Sequence, residues 1–191
     1  MRKILSIVLL ASCATLLSCS TPYYTYKQEM FQGRRLLNSE EYAQARDEFV
    51  KAARTMPDSY SNAFAATASY KLDDIASAER FIQEAAKLNG KGYSYLRILA
   101  YRALIFLKED RQKEALDALR DYLAAYQNEY PLASSLRVEA MVRTGNVNLS
   151  LLEALLDEQL RTYESDMDQF LSSGTGWYGM RYGPPPAWPV P

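Results

Sequence analysis

Histidine is absent from the 191 residues of this chain, and its absence removes whole classes of catalytic site. The Ser-His-Asp and Cys-His triads, the commonest general base near neutral pH and most zinc sites all need an imidazole. An enzyme would have to work with carboxylates, lysine or tyrosine alone. We therefore expect that the chain is not an enzyme and that it needs no metal or cofactor.

Cysteine is scarce as well, since the only two, Cys13 and Cys19, lie in an apolar N-terminal segment. A basic start followed by a short apolar run is typical of a secretory signal peptide. The tetrapeptide LLSC that ends at Cys19 resembles the lipobox of bacterial lipoproteins. This resemblance predicts a lipoprotein signal peptide over residues 1–18 and a covalent lipid on Cys19. LASC, ending at Cys13, also fits but leaves an unusually short apolar region; an ordinary cleaved signal is the other alternative.

The residues after the signal predict a tethered domain. If Cys19 carries the lipid, no other thiol stays in the mature chain, so no disulfide is expected. Residues 19–25 would form a short tether whose Tyr23 and Tyr24 either sit at the membrane interface or pack on the first helix. Ser20, rather than Asp, follows the cysteine, which resembles lipoproteins exported to the outer membrane. The predicted location is the periplasmic face of a bacterial outer membrane.

Excess positive charge and long apolar segments are also lacking. The 22 basic and 23 acidic side chains give a formal net charge of −1, and removal of Arg2 and Lys3 with the signal takes it to about −3. A nucleic-acid partner is not expected, because it needs a basic stripe. Beyond the signal, no apolar run is long enough to cross a bilayer.

A helical packing pattern is present between residues 41 and 57. Ala45, Phe49, Ala52 and Ala53 recur at i, i+4, i+7 and i+8, which places small and large apolar groups on one face, and Pro57 ends the helix. Small residues on that face allow another helix to approach closely. The pattern therefore predicts a helix that packs on its neighbours.

The same spacing recurs further along the chain. Ala78, Ile82 and Ala85 repeat it after 33 residues, and Ala115 and Leu119 repeat its first two positions after a further 37. One such hairpin cannot bury its own apolar face, so stacked copies are required.

Residues 26–59 resemble a tetratricopeptide (TPR) repeat. The resemblance rests on Gly33, Tyr42, Ala45, Phe49, Ala52 and Pro57, whereas Glu29 and Leu36 stand where the family has Trp and Tyr. It implies an all-α fold, a TPR-like α-solenoid of about four helical hairpins over residues 26–171. The fourth pair, from residue 131, keeps only the rhythm of helix, turn and helix.

In the TPR family the first helix of each pair lines a concave groove that binds peptides. The register implies a partner-binding groove for a protein segment of modest acidity. Alternatively, Tyr60, Tyr101 and Leu104 are inter-repeat core. The groove positions are Met30, Arg34, Ala63, Thr67, Ala100 and Leu104, with Lys27, Tyr60 and Arg97 at the rim.

Three acidic side chains stand near the end of the last long helix. Glu164, Asp166 and Asp168 are two residues apart, and such positions on a helix point away from one another. We therefore expect a solvated helix face there and no metal site.

The last 20 residues, 172–191, are rich in Gly and Pro and hold both tryptophans. Glycines followed by Pro184-Pro185-Pro186 predict an extended tail. The aromatic anchors are either a ligand for another envelope protein or contacts made by folding back onto the array. They are Trp177, Tyr178, Tyr182 and Trp188.

Together these patterns predict a membrane-anchored periplasmic scaffold for protein–protein interaction. In architecture it resembles small repeat lipoproteins that help assemble outer-membrane machinery, such as secretin pilotins and the lipoprotein of the β-barrel assembly complex. This resemblance implies another envelope protein as the partner. The alternative is cell-wall binding or modification, with the tail aromatics and groove tyrosines stacked on sugar rings.

Overall fold

The computed structural model describes residues 21–88, 92–130 and 135–182, and every regular element in these ranges is a helix. Positions 179, 181 and 182 are described by their backbone alone. The predicted all-α class is confirmed for this part of the chain. The helices are α1 (Pro22–Asn38), α2 (Tyr42–Thr55), α3 (Ser59–Lys71), α4 (Ile75–Lys87), α5 (Tyr95–Lys108), α6 (Gln112–Glu129), α7 (Leu136–Thr144), α8 (Leu149–Ser173) and α9 (Gly176–Tyr182).

The first six helices form three hairpins that share one turn conformation. Glu40, Asp73 and Asp110 have positive φ angles of 62°, 59° and 57°. In each turn the following residue donates its N–H to the carbonyl five residues back, the bond of a Schellman helix end. The left-handed residues are 33 and 37 positions apart. These intervals equal the predicted periods, so the register of the third hairpin is confirmed.

The second helix of each hairpin buries the side chains that the spacing singled out. In each, three positions at i, i+4 and i+7 are almost inaccessible to solvent, as the spacing predicts for α2, for α4 and for the first two positions in α6. α3 and α5 are buried on nearly all sides because other helices flank them. The three sets are Ala45, Phe49 and Ala52 in α2; Ala78, Ile82 and Ala85 in α4; and Ala115, Leu119 and Tyr122 in α6.

The close approach of α1 to α2 depends on Gly33. A Cβ atom added at Gly33 would lie 2.6 Å from Cε1 of Phe49, whose side chain is fully buried. The Phe49 ring packs in turn on Phe64 of α3, with centroids 5.1 Å apart. The ring therefore has little room to give way, and the site requires glycine.

The 25-residue helix α8 takes a course that the hairpin rhythm did not predict. α7 packs on α6, but the backbone of α8 approaches α5, and its side chains reach α1, α3 and α6. The chain turns between the two helices at Gly145, which has a φ of 70°. The order of helix, turn and helix holds, but α8 crosses the first helices of the array instead of extending it as a fourth hairpin.

Both ends of the predicted repeat domain differ from expectation. α1 begins at Pro22, so Tyr23 and Tyr24 are helical and do not belong to a tether. The extended tail predicted from residue 172 is wrong up to residue 182, because α8 continues to Ser173 and α9 follows. Glycines at a helix end adopt left-handed backbone, which here separates two helices instead of starting an extended segment.

The predicted signal peptide (1–18), Cys19, Trp188 and the prolines from residue 184 lie outside the described residues. Among the helices that are described, none has both the length and the apolar composition that crossing a bilayer requires.

We expect Gly33→Ala to lower the free energy of unfolding by about 1–2 kcal/mol, because overpacking against Phe49 should cost about 2–3 kcal/mol and the gain in helix propensity is roughly 1 kcal/mol. Urea denaturation followed by circular dichroism measures the change. Adding Phe49→Leu should recover part of the loss, and Gln28→Ala, at an exposed α1 position, should stay within about 0.5 kcal/mol. Equal stability of Gly33→Ala and the wild type would contradict the packing role.

Candidate functional site

Four carboxylates on one side of α8 meet the first helices of the array. Glu153, Asp157, Glu164 and Asp168 are 4, 7 and 4 residues apart, so they share a helix face. Each accepts hydrogen bonds from basic or tyrosine side chains in α1, α3, α5 or the segment before α5. We call this set of contacts the inner interface.

The centre of the inner interface is a buried ion pair. Arg97 Nε and Nη2 donate to the two carboxylate oxygens of Glu164 at 2.7 and 2.8 Å. Arg97 Nη1 donates to Thr67 Oγ1 at 2.9 Å, and its Cζ lies 4.0 Å from the centroid of the Phe64 ring. Burial by itself would lower the pKa of Arg97, but the Glu164 carboxylate outweighs burial and raises that pKa. The guanidinium is therefore fully charged and bidentate.

A second group of contacts joins α3 and α5 to the N-terminal half of α8. Lys71 Nζ donates to Glu153 and, at 2.6 Å, to Asp157. The hydroxyls of Tyr70 and Tyr101 donate to the same two carboxylates, at 3.3 and 2.7 Å. Burial, reinforced by Asp157, raises the pKa of Tyr101 well above its ordinary value. The tyrosines therefore remain protonated donors.

A third contact lies at the solvent edge. Arg34 Nη2 donates to Asp168 Oδ2 at 2.6 Å, and the Tyr93 hydroxyl donates to Asp168 Oδ1 at 2.9 Å. The side chains of Arg34 and Asp168 are 32% and 44% exposed. Solvent screens such a pair. Breaking the Arg34–Asp168 pair should therefore destabilise the fold less than breaking the buried Arg97–Glu164 pair.

A cleft of about 700 Å³ opens beside the inner interface, between α1, α3 and α8. Its lining is mixed in character, with four basic and four acidic side chains and a smaller apolar and aromatic part. Such balance suits a protein segment that carries both charges. The charged lining residues are Arg34, Lys71, Arg97, Arg161, Glu40, Asp157, Glu164 and Asp168, and the others include Leu37, Asn38, Tyr42, Phe64 and Ser165.

Most of the positions predicted to line an open groove are buried. Arg34, Thr67 and Arg97 do reach the cleft, whereas Tyr60 is only partly exposed and Lys27 is exposed on the outer side of α1. In the part of the chain that the structure describes, the predicted groove is therefore not open over its whole length. The buried positions are Met30, Ala63, Thr67, Ala100 and Leu104, each at most 4% exposed, and Arg97, which is 7% exposed.

The prediction of a solvated acidic face near the end of α8 is wrong. Glu164 is buried against Arg97, Asp168 is paired with Arg34, and Asp166 accepts a hydrogen bond from the Tyr130 hydroxyl. The partners come from distant helices, which local spacing does not reveal. Within the described residues, no group of three or more His, Cys, Asp or Glu side chains could hold a metal ion.

The sequence analysis did not single out Glu153 and Asp157. Their spacing from Glu164 and Asp168 on one face of α8 was the available signal.

The tail aromatics that the structure describes fold back onto the array. Tyr178 is buried, and its ring centroid lies 6.2 Å from that of Tyr163 in α8. The Trp177 ring packs edge-on against Tyr130, with centroids 5.6 Å apart. The backbone of α9 ends at Tyr182, whose side chain is not described. For Trp177 and Tyr178, self-docking is therefore the better of the two predicted alternatives.

No protein-family model matches this chain, and no curated protein matches it. The inner interface and the cleft are therefore the observations from which function has to be inferred.

We expect Glu164→Gln to destabilise the fold by about 3–5 kcal/mol, because the charge of Arg97 would stay buried without its counter-ion. The matched control is Glu158→Gln, on the same helix, whose partner Arg161 is largely exposed. That change should cost no more than about 0.5–1 kcal/mol. Chemical denaturation of both variants measures the difference, and similar losses would refute the central role of the buried pair.

Buried tyrosines predict a loss of stability at alkaline pH. Burial raises the pKa of Tyr126 to about 12 and those of Tyr101 and Tyr122 well above 10.0. In the unfolded chain these groups titrate near 10, so their contribution is complete below pH 10 and is lost as the pH rises towards 12 and beyond. Tyrosinate absorbance and helical circular dichroism, followed together, should change in one transition.

Tyr126→Phe provides the matched variant for this titration. The buried Tyr126 hydroxyl has no hydrogen-bond partner among the described residues, so its removal leaves no other group unpaired. The variant should unfold at a higher pH than the wild type, and an unchanged alkaline midpoint would contradict the assignment.

Proposed function

We propose that this chain is a membrane-anchored periplasmic scaffold for protein–protein interaction, built as a TPR-like α-solenoid, that serves the assembly or maintenance of an envelope complex. The observation that carries the proposal is the inner interface. Three successive first helices, together with the segment before α5, already hold a helix, α8, through basic and tyrosine side chains. This side of the array therefore holds a helix through its charged groups, and the charge-balanced cleft beside it suits a partner segment that carries both charges.

The repeat geometry supports the TPR-like part of the proposal. The three identical turns recur at intervals of 33 and 37 residues, close to the length of a TPR unit. Gly33 and Phe49 make the helix contact that the resemblance implies. Stacked hairpins of this kind present extended binding surfaces to other proteins.

The partner segment is proposed to lie in the cleft beside α8. Asn38 and Arg161 are exposed at its edge, and Leu37 and Tyr42 are partly exposed. Because the lining charges balance, they would contribute specificity and orientation more than affinity. Three of its four acidic groups, Asp157, Glu164 and Asp168, are occupied by structural ion pairs, which supports binding over catalysis.

The anchor in this proposal is the covalent lipid on Cys19, with the domain at the periplasmic face of the outer membrane. α1 begins three residues after that cysteine, so the array would stand directly on the membrane. Several acyl chains together anchor a protein stably.

No specific observation supports glycan binding, which is the alternative function that the sequence left open. A sugar ring stacks on an exposed aromatic face, but Tyr101 and Tyr178 are buried and Trp177 packs against Tyr130. These rings are used for packing inside the protein.

Site-specific photocrosslinking in envelope membranes tests the proposed cleft. A photoreactive residue at Asn38 should yield discrete protein adducts, and Arg161→Glu should reduce their yield several-fold. The control is Arg120→Glu on α6, because Arg120–Asp117 is an exposed i,i+3 pair of the same kind as Arg161–Glu158. If Arg161→Glu and Arg120→Glu reduce the adduct yield equally, the partner lies outside the cleft. Adducts with glycan would favour the alternative function, glycan binding.

A further inference from the structure

One face of α1 exposes aromatic and basic side chains next to each other. Tyr24 and Phe31 are 56% and 74% exposed. Lys27, which lies between them in the sequence, and Arg35, which follows Phe31, are also exposed. Positions 24, 27, 31 and 35 are three or four residues apart, so they lie on one side of the helix. We call these four residues the α1 stripe.

The side of α1 opposite the stripe packs against the array. Met30, Gly33 and Leu36 are buried against the array, and Arg34 points to Asp168 on α8. The single acidic residue of α1, Glu29, is turned away from the stripe and accepts a hydrogen bond from Thr55 at 2.9 Å. The stripe is therefore the outward face of the first helix, and it carries positive charge without a carboxylate.

A polar outer face is what the terminal helix of a repeat array needs in order to stay soluble. Two largely exposed aromatic rings depart from that rule. Single exposed apolar residues are common, but aromatic rings combined with Lys and Arg on one helix face are typical of helices that lie in a membrane interface.

The upstream chain indicates what covers the stripe. α1 begins at Pro22, three residues after Cys19, and three extended residues span at most about 11 Å. With the lipid anchor of the proposed function on Cys19, on which this inference rests, the start of α1 cannot leave the headgroup region. The stripe extends over 12 residues, with about 16 Å of helix between the first and the last, so it fits a helix that lies flat.

We propose that the α1 stripe is a membrane-docking surface that lays α1 on anionic phospholipid headgroups. Phe31 enters the boundary between headgroups and acyl chains, and Tyr24 places its ring there with the hydroxyl towards water. Lys27 and Arg35 contact lipid phosphates, each adding electrostatic attraction near an anionic surface. The anchor then holds the chain to the membrane, and the stripe sets its orientation.

Depth measurements on the mature, lipidated protein in vesicles of phosphatidylethanolamine and phosphatidylglycerol test this orientation. An environment-sensitive fluorophore is attached at Phe31→Cys or, as the control, at Asp121→Cys on α6, which is also exposed. Emission from position 31 should shift to the blue and be quenched by brominated acyl chains several-fold more than emission from position 121. Adding Lys27→Glu and Arg35→Glu should remove most of that quenching.

Two outcomes would overturn the proposal. Equal quenching at positions 31 and 121 means that the stripe faces water. A blue shift without quenching means that protein, such as a second copy of the chain, covers it.

The anchor is tested separately, by the mass of the protein without an introduced cysteine and by its reaction with a thiol reagent. A reactive thiol at Cys19 refutes the anchor of the proposed function. With Cys19→Ser introduced so that only position 31 takes the label, quenching there would still support the stripe, and its absence would overturn both.

Discussion

The buried charge of Arg97 is the constraint on which the course of the C-terminal half depends. α5 places this guanidinium against Phe64 and Thr67 of α3, where a lone charge would be very unfavourable. Glu164 supplies the counter-charge, and it can do so only if α8 turns back across the first helices. Once Glu164 is in place, helical spacing brings Asp157 and Asp168 to their own donors, so one pair sets the register of the whole interface.

A helix held in this way changes what the array can offer to a partner. An empty concave surface can bind any helix or peptide that fits it. In this protein α8 covers the central part of that surface, and a charge-balanced cleft remains beside α8. Such a surface is preorganised, because the ion pairs fix its side chains before any partner arrives. On α1, Arg34 and Leu37 face the cleft while Phe31 faces outward. In the proposed arrangement one helix therefore touches both the partner and the membrane.

The parts of the fold that follow local rules could be predicted from the sequence. Ala45, Phe49 and Ala52 form a buried helical face, as their spacing predicts. The structure adds the reason for glycine at position 33, which is the Phe49 ring packed against it. The return of α8 could not be predicted in this way, since Arg97 and Glu164 are 67 residues apart. The expected solvated acidic face was wrong, and the predicted groove is open only in part, for the same reason: each is one side of a contact whose other side was unknown.

Arg97 nevertheless carries a signal that the repeat pattern hides. Arg97 lies in YLRILAYRALIFL, a helix so apolar that it has to be buried on most sides. Arg97 occupies one of the buried positions of this helix, whereas Arg102 faces solvent. A cation on the buried side of such a helix demands a carboxylate from another element. The acidic residues that share one face of α8 are suited to supply it, because their 4, 7, 4 spacing matches a helix laid along its donors. A requirement for charge compensation can therefore indicate a long-range contact where hydrophobic periodicity gives no sign of one.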